Sequence, residues 1–140
     1  MANRESYILH GMGPDAVGLV GRVTAPIAAI GGNILDLRQD VLHGLFTIYL
    51  VVDLSESAED FDGLQRVVES LKTETGLSLT VDRFVPEARS ADKENLLMIL
   101  VGRDKAGVVA ASSEMLGKYH ANIEFSDAVG REGVFLMELM

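Results

Sequence analysis

The sequence predicts an α+β fold made twice over: two ferredoxin-like βαββαβ units in tandem, the second truncated after its third strand. Two observations lead there. The chain repeats itself at a constant offset of 89 residues, which maps Gly13-Pro14-Asp15-Ala16-Val17-Gly18-Leu19-Val20 onto Gly102-Arg103-Asp104-Lys105-Ala106-Gly107-Val108-Val109, Asn33-Ile34 onto Asn122-Ile123, and Gly44-Leu45-Phe46 onto Gly133-Val134-Phe135. A period this long marks whole small domains rather than a solenoid. Within the first copy, apolar spacing switches between the strand period of two and the helical steps of three and four in the order βαββαβ.

Ser6 to Met12 is a short, mostly apolar strand that stops at the breaker Gly11-Met12-Gly13-Pro14. From Ala16 to about Ile30, the residues Val20, Val23, Ile27 and Ile30 form one buried helical face. Asp15 stands where an N-cap belongs, and Gly31-Gly32 where a helix ends. Pro26 lies inside this helix and is replaced by Met115 in the second copy. Asn33 to Val41 and Leu45 to Asp53 are strands joined at His43-Gly44, a tight hairpin that accepts positive φ. In the second of them Phe46, Ile48, Leu50 and Val52 give a strongly apolar face, and the opposite face is mixed. Ser57-Ala58-Glu59-Asp60 resembles a capping box ahead of a helix with Phe61, Leu64, Val68 and Leu71 inward, closed by Gly76. Leu77, Leu79 and Val81 alternate as a fourth strand, running to about Phe84.

The domains read from this pattern are residues 1–85, a polar linker 86–94, and 95–140. The second begins with an apolar strand from Asn95 to Val101. Its helix, Lys105 to Tyr119, turns Val109, Ser112, Leu116 and Tyr119 inward, and strands follow at Ile123 to Val129 and Val134 to Met140. A second helix and fourth strand are lacking, so the expectation is a piece of a longer polypeptide, with completion by a partner chain as the alternative.

Composition narrows the function classes. The chain has 140 residues, and with 48% of them hydrophobic it is expected to bury surface against other copies as a homo-oligomer. A net charge of −9 with only 12 Lys and Arg argues against nucleic-acid and anionic-membrane partners. There is no cysteine, which excludes a disulfide framework, thiolate metal sites and a Cys nucleophile. The N-terminus has no signal-peptide core and no apolar stretch reaches membrane-span length, so a cytoplasmic chain is expected. No catalytic constellation is found. His10, His43 and His120 have no metal-ligand spacing, and Glu56, Glu59, Asp60 and Asp62 suit a solvated helix start. No metal, cofactor or catalytic residue is predicted.

What recurs is Gly-x-Asp-x-x-Gly between first strand and helix, then Asn-Ile opening the next strand. A helix N-terminus offers free N–H groups and partial positive charge to a carboxylate. Asp15 and Asn33 would then receive an ammonium group, which together suits a free amino acid. The structural alternative is that Asp15 and Asp104 cap helices, Gly18 and Gly107 permit close packing, and Asn33 and Asn122 close a turn.

These residues, in a βαββαβ order and with Gly44-Leu45-Phe46, resemble the ACT domain, a regulatory module that senses amino acids. The resemblance implies a small amino acid held between domains paired side by side, touched by the loop after the first strand and by the Asn opening the second. By position these are Gly13, Asp15, Val17, Gly18 and Asn33, with Gly102, Asp104, Ala106, Gly107 and Asn122 in the second copy. Serine and glycine are the candidate ligands, although serine-sensing members usually carry a polar residue where Gly13 and Gly102 stand. Glu94 to Leu139 looks most like the amino-terminal regulatory half of phosphoserine phosphatases of the haloacid-dehalogenase type, which implies an attached hydrolase. The alternatives are a free-standing pair of the glycine-cleavage-system repressor type, acting through protein partners, and an oligomerisation module without ligand.

Overall fold

A computed structural model describes residues 6–87 and 94–139. Residues 88–93 of the expected linker, and Met140 of the expected last strand, lie outside the described residues. The chain divides into two compact units. The first contains β1 (Ser6–Pro14), α1 (Leu19–Ala29), β2 (Asn33–Leu42), β3 (Leu45–Asp53), α2 (Phe61–Thr75) and β4 (Ser78–Phe84). The second contains β5 (Met98–Arg103), α3 (Val108–Lys118), β6 (Ser126–Arg131) and β7 (Val134–Leu139). The α+β, ferredoxin-like βαββαβ architecture is present in the first unit, with a partial three-stranded copy in the second.

The first sheet has strand order β2-β3-β1-β4, with every neighbouring pair antiparallel. Its alternating apolar residues Tyr7, Leu9, Phe46, Ile48, Leu50, Val52 and Leu79 face one side. There they bury against Leu19, Val23 and Ile27 of α1 and Leu64, Val68 and Leu71 of α2. Tyr7 stacks on Phe61 with ring centroids 5.0 Å apart, and the Arg83 guanidinium lies over the same Phe61 ring. Both helices therefore cover one face and leave the other bare.

Two glycines let β1 approach β4. A Cβ on Gly11 would lie 2.1 Å from the Ser78 carbonyl oxygen, and one on Gly13 would lie 2.8 Å from Leu77 Cδ2. Gly102, the copy of Gly13, has open space around it, because no strand runs beside β5 on that side among the described residues.

Helix starts differ from the sequence reading. Gly18 is the N-cap of α1 at φ 83°, and no side chain caps it. The backbone N–H of Asp15 donates to the Gly44 carbonyl at 2.9 Å, which ties this loop to the β2–β3 hairpin three residues before the N-cap. The second unit repeats this: Gly107 is the N-cap at φ 86°, and Asp104 N–H donates to Gly133 at 2.8 Å. Asp15 and Asp104 are thus not the caps. Nor do Gly18 and Gly107 permit close packing, since open space surrounds both; they supply the left-handed turn.

At α2, Asp60 accepts from Gly63 N–H at 3.1 Å as the true N-cap. Ser57 does not start a capping box there: its hydroxyl donates to the Ile30 carbonyl and satisfies the end of α1. In α3 the inward residues are Val108, Ser112 and Leu116, while Val109 and Tyr119 are exposed. Residues 95–97 and 123–125 precede β5 and β6 rather than opening them.

Candidate functional site

The hairpin at His43-Gly44 has positive φ at both residues, 49° and 82°, as a type I′ turn requires. It sets the end of β2, the start of β3 and, through Gly44, the Asp15–Gly18 loop at one end of the sheet. Asp15, Val17 and Gly18 are exposed there, and Gly13 is half-buried against Leu77. Val17 is wholly solvated at 101% relative accessibility, an apolar side chain that nothing in its own unit covers. With no side chain capping α1, its first-turn N–H groups have no side-chain acceptor at the N-cap.

Asn33 lies elsewhere. Ser6 pairs with Asp53 and Asp53 with Asn33, whereas Pro14 pairs with Leu45 and Leu45 with Leu42. β1 and β2 are therefore parallel, and Asn33 and Asp15 occupy opposite ends of the sheet. Eight residues separate the two ends along β1, which at a rise of about 3.3 Å per residue is roughly 25 Å. Within one unit Asp15 and Asn33 do not reach the same small ligand, so a ligand touched by both would lie between two paired units. Asn33 is exposed and opens β2, an edge strand of the sheet.

In the second unit Gly102, Asp104, Ala106 and Gly107 form the matching exposed loop. Asp104 differs from Asp15 in having a neighbour to lean on: a Cβ on Gly130 would lie 2.7 Å from its Oδ2, so the carboxylate occupies the space that Gly130 leaves empty. Val41 holds the corresponding place in the first unit. Asn122 sits in coil ahead of β6 and lines a cavity of about 490 Å³ with Leu96, Met98, Leu116, His120 and Ile123. Leu96 corresponds to Tyr7, on which Phe61 of α2 stacks, so this cavity occupies the place that α2 fills in the first unit. Its apolar side, Leu96, Met98, Leu116 and Ile123, is core left uncovered. A second cleft, of about 320 Å³, runs between α1 and α2 past Pro26, Arg66 and Glu74.

His10 has a single acidic neighbour, Asp82, at 3.9 Å, and both side chains are more than half exposed. Among the described residues no three His, Cys, Asp or Glu side chains could hold a metal ion. No helix among them is long and apolar enough to cross a membrane.

Fold and loop together define a ferredoxin-like α+β module. The ACT domain family model matches residues 7–82, and the chain belongs to that family. It is similar to a UPF0237 protein of Methanococcus maripaludis, 35% identical over 77 residues, which spans 55% of this chain and 86% of the relative. An ACT domain protein from Streptococcus pneumoniae superposes with a TM-score of 0.51 at 31% identity, covering 58% of this chain and 91% of that one. Nearly the whole chain, 99%, superposes on 80% of a putative glycine cleavage system transcriptional repressor, with a TM-score of 0.69 and 15% identity. That last likeness extends the shared fold across both units.

Proposed function

We propose that this chain is a regulatory module that binds a small amino acid between two copies paired side by side. The observation that carries the reading is the placement of the Asp15–Gly18 loop and Asn33 at opposite ends of the first unit, with β2 as a free edge between them. Two β2 edges paired antiparallel about a two-fold axis bring the start of one strand beside the end of the other. Asn33 of one copy then approaches the hairpin and loop of its partner, a separation of ends that would serve no purpose in a one-unit pocket. The Asp15 N–H bond to the Gly44 carbonyl holds the loop that leads into α1 at the hairpin where β2 ends.

In such a pair the uncapped first turn of α1 receives the ligand carboxylate. Asn33 of the other copy, with Asp15, takes the ammonium group, and Val17 is covered by the partner. Gly13 is held against Leu77 and offers only backbone. The ligand bridges both copies, so it favours the paired arrangement, and that bias of about 1 to 3 kcal/mol is what a regulated partner would sense. The controlled protein in this reading is an attached or associated enzyme of amino-acid metabolism in the cytoplasm, and the resemblance of residues 94–139 makes phosphoserine phosphatase its first candidate.

Titration calorimetry against glycine, serine and the other small amino acids tests the reading. Heat with one of them that is lost in Asn33→Ala, at unchanged melting temperature, supports it. A folded, paired chain that gives no heat with any of them refutes it.

A further inference from the structure

The two units differ most on the sheet face that carries no helix. In the second unit, the registers Val101–Leu136–Val129 and Arg103–Val134–Arg131 place these residues on the face opposite buried Met137, together with Ile99 and Asp127. Ile99, Val101, Val129, Val134 and Leu136 are all 43% exposed or more. The matching positions of the first unit are His10, Met12, Asp40, Leu45 and Thr47, so a row that reads Met12–Thr47–Asp40 in one unit is wholly apolar in the other. The fold does not cover this face: in the first unit both helices lie on the other side.

The charges at its ends say what does. Arg103 and Arg131 stand in the next row on one side of the apolar row, on β5 and β6, and Asp127 stands in the row on its other side, on β6, two residues from Val129. This pattern is self-complementary. A two-fold axis lying along the Val101–Leu136–Val129 row stacks the sheet on a second copy of itself, sets Leu136 against its twin, and brings Arg131 over Asp127 of the other copy. Like charges would meet in the parallel stacking, which selects the antiparallel one.

We infer that the bare face of the second unit, centred on Leu136, is a homodimer interface between copies of this chain, formed by face-to-face stacking of the three-stranded sheets. It uses a different surface from the β2 edge and requires no ligand. Neighbouring sheets stack about 10 Å apart, close enough for these side chains to interdigitate.

The chain has no cysteine, so a single introduced thiol reports this contact cleanly. Leu136→Cys is expected to crosslink to its twin with a short bismaleimide, while Thr47→Cys, the matching position of the first unit, does not. In sedimentation velocity, Arg131→Asp and Asp127→Arg should each weaken dimerisation by about tenfold or more, and the chain carrying both reversals should regain it. Asn33→Ala should leave the Leu136→Cys crosslink untouched, which separates this contact from the ligand-binding pair. Equal crosslinking of Leu136→Cys and Thr47→Cys would overturn the inference. So would a chain with both reversals that dimerises as poorly as either alone.

Discussion

Replacing Gly11 by alanine probes the closest backbone approach in the first unit. The added Cβ would stand 2.1 Å from the Ser78 carbonyl oxygen and 2.6 Å from Leu79 Cδ2, against 3.4 Å for ordinary contact. The leucine methyl can swing away, but the carbonyl belongs to the β1–β4 ladder, in which Gly11 pairs with Leu79. Relief therefore means opening that ladder by about 1 Å, and overpacking of this kind costs about 1 to 3 kcal/mol. Alanine returns about 0.4 to 1 kcal/mol by restricting the unfolded chain. The net expectation from the middle of both ranges is a loss of about 1.3 kcal/mol, which for a unit of this size lowers the melting temperature by about 5 to 10 °C. Circular dichroism melts of Gly11→Ala and Gly102→Ala measure it. Gly102→Ala has nothing within 4 Å of the new methyl and should melt close to the native chain. A Gly11→Ala protein that melts with Gly102→Ala would refute the close approach of β1 and β4.

Other perturbations read the same packing. Phe61→Ala removes the ring that stacks on Tyr7 and carries Arg83, and should cost about 3 kcal/mol in urea unfolding. Asp60→Ala removes the side-chain cap from Gly63 N–H and should cost about 1 kcal/mol, whereas Asp15→Ala, which caps nothing, should leave stability within about 0.5 kcal/mol.

Much of this architecture is legible in the residues. Leu45 to Asp53 alternates without interruption and is β3 to the residue, and Gly76, at φ 72°, closes α2 where the pattern stops. The helix starts are less legible: the backbone N–H of Asp15 is bonded to the distant Gly44 and α1 starts only after the left-handed Gly18, while the Ser57 hydroxyl donates to the distant Ile30. A sequence window cannot show those partners. The opposition of Asp15 and Asn33 was implicit in the βαββαβ order, which makes β1 and β2 parallel. It is overlooked when two repeated residues are taken for one pocket. The bare face of the second unit was readable too: setting Met12, Thr47 and Asp40 beside Val101, Leu136 and Val129 shows the change, once register says that they form one row.

The claim that an amino acid is held by the loop of one copy and by Asn33 of the other can be tested by mixing. Asp15→Ala and Asn33→Ala each disable both sites of a two-fold pair. In a mixed pair one site carries both changes, and the other joins the intact loop of the Asn33→Ala copy to the intact Asn33 of the Asp15→Ala copy. Calorimetry on the two variants, unfolded together and refolded at equal concentration, should recover about one quarter of the native first-unit sites from random pairing, where each variant alone shows none. No recovery in a mixture that pairs normally would contradict the shared site.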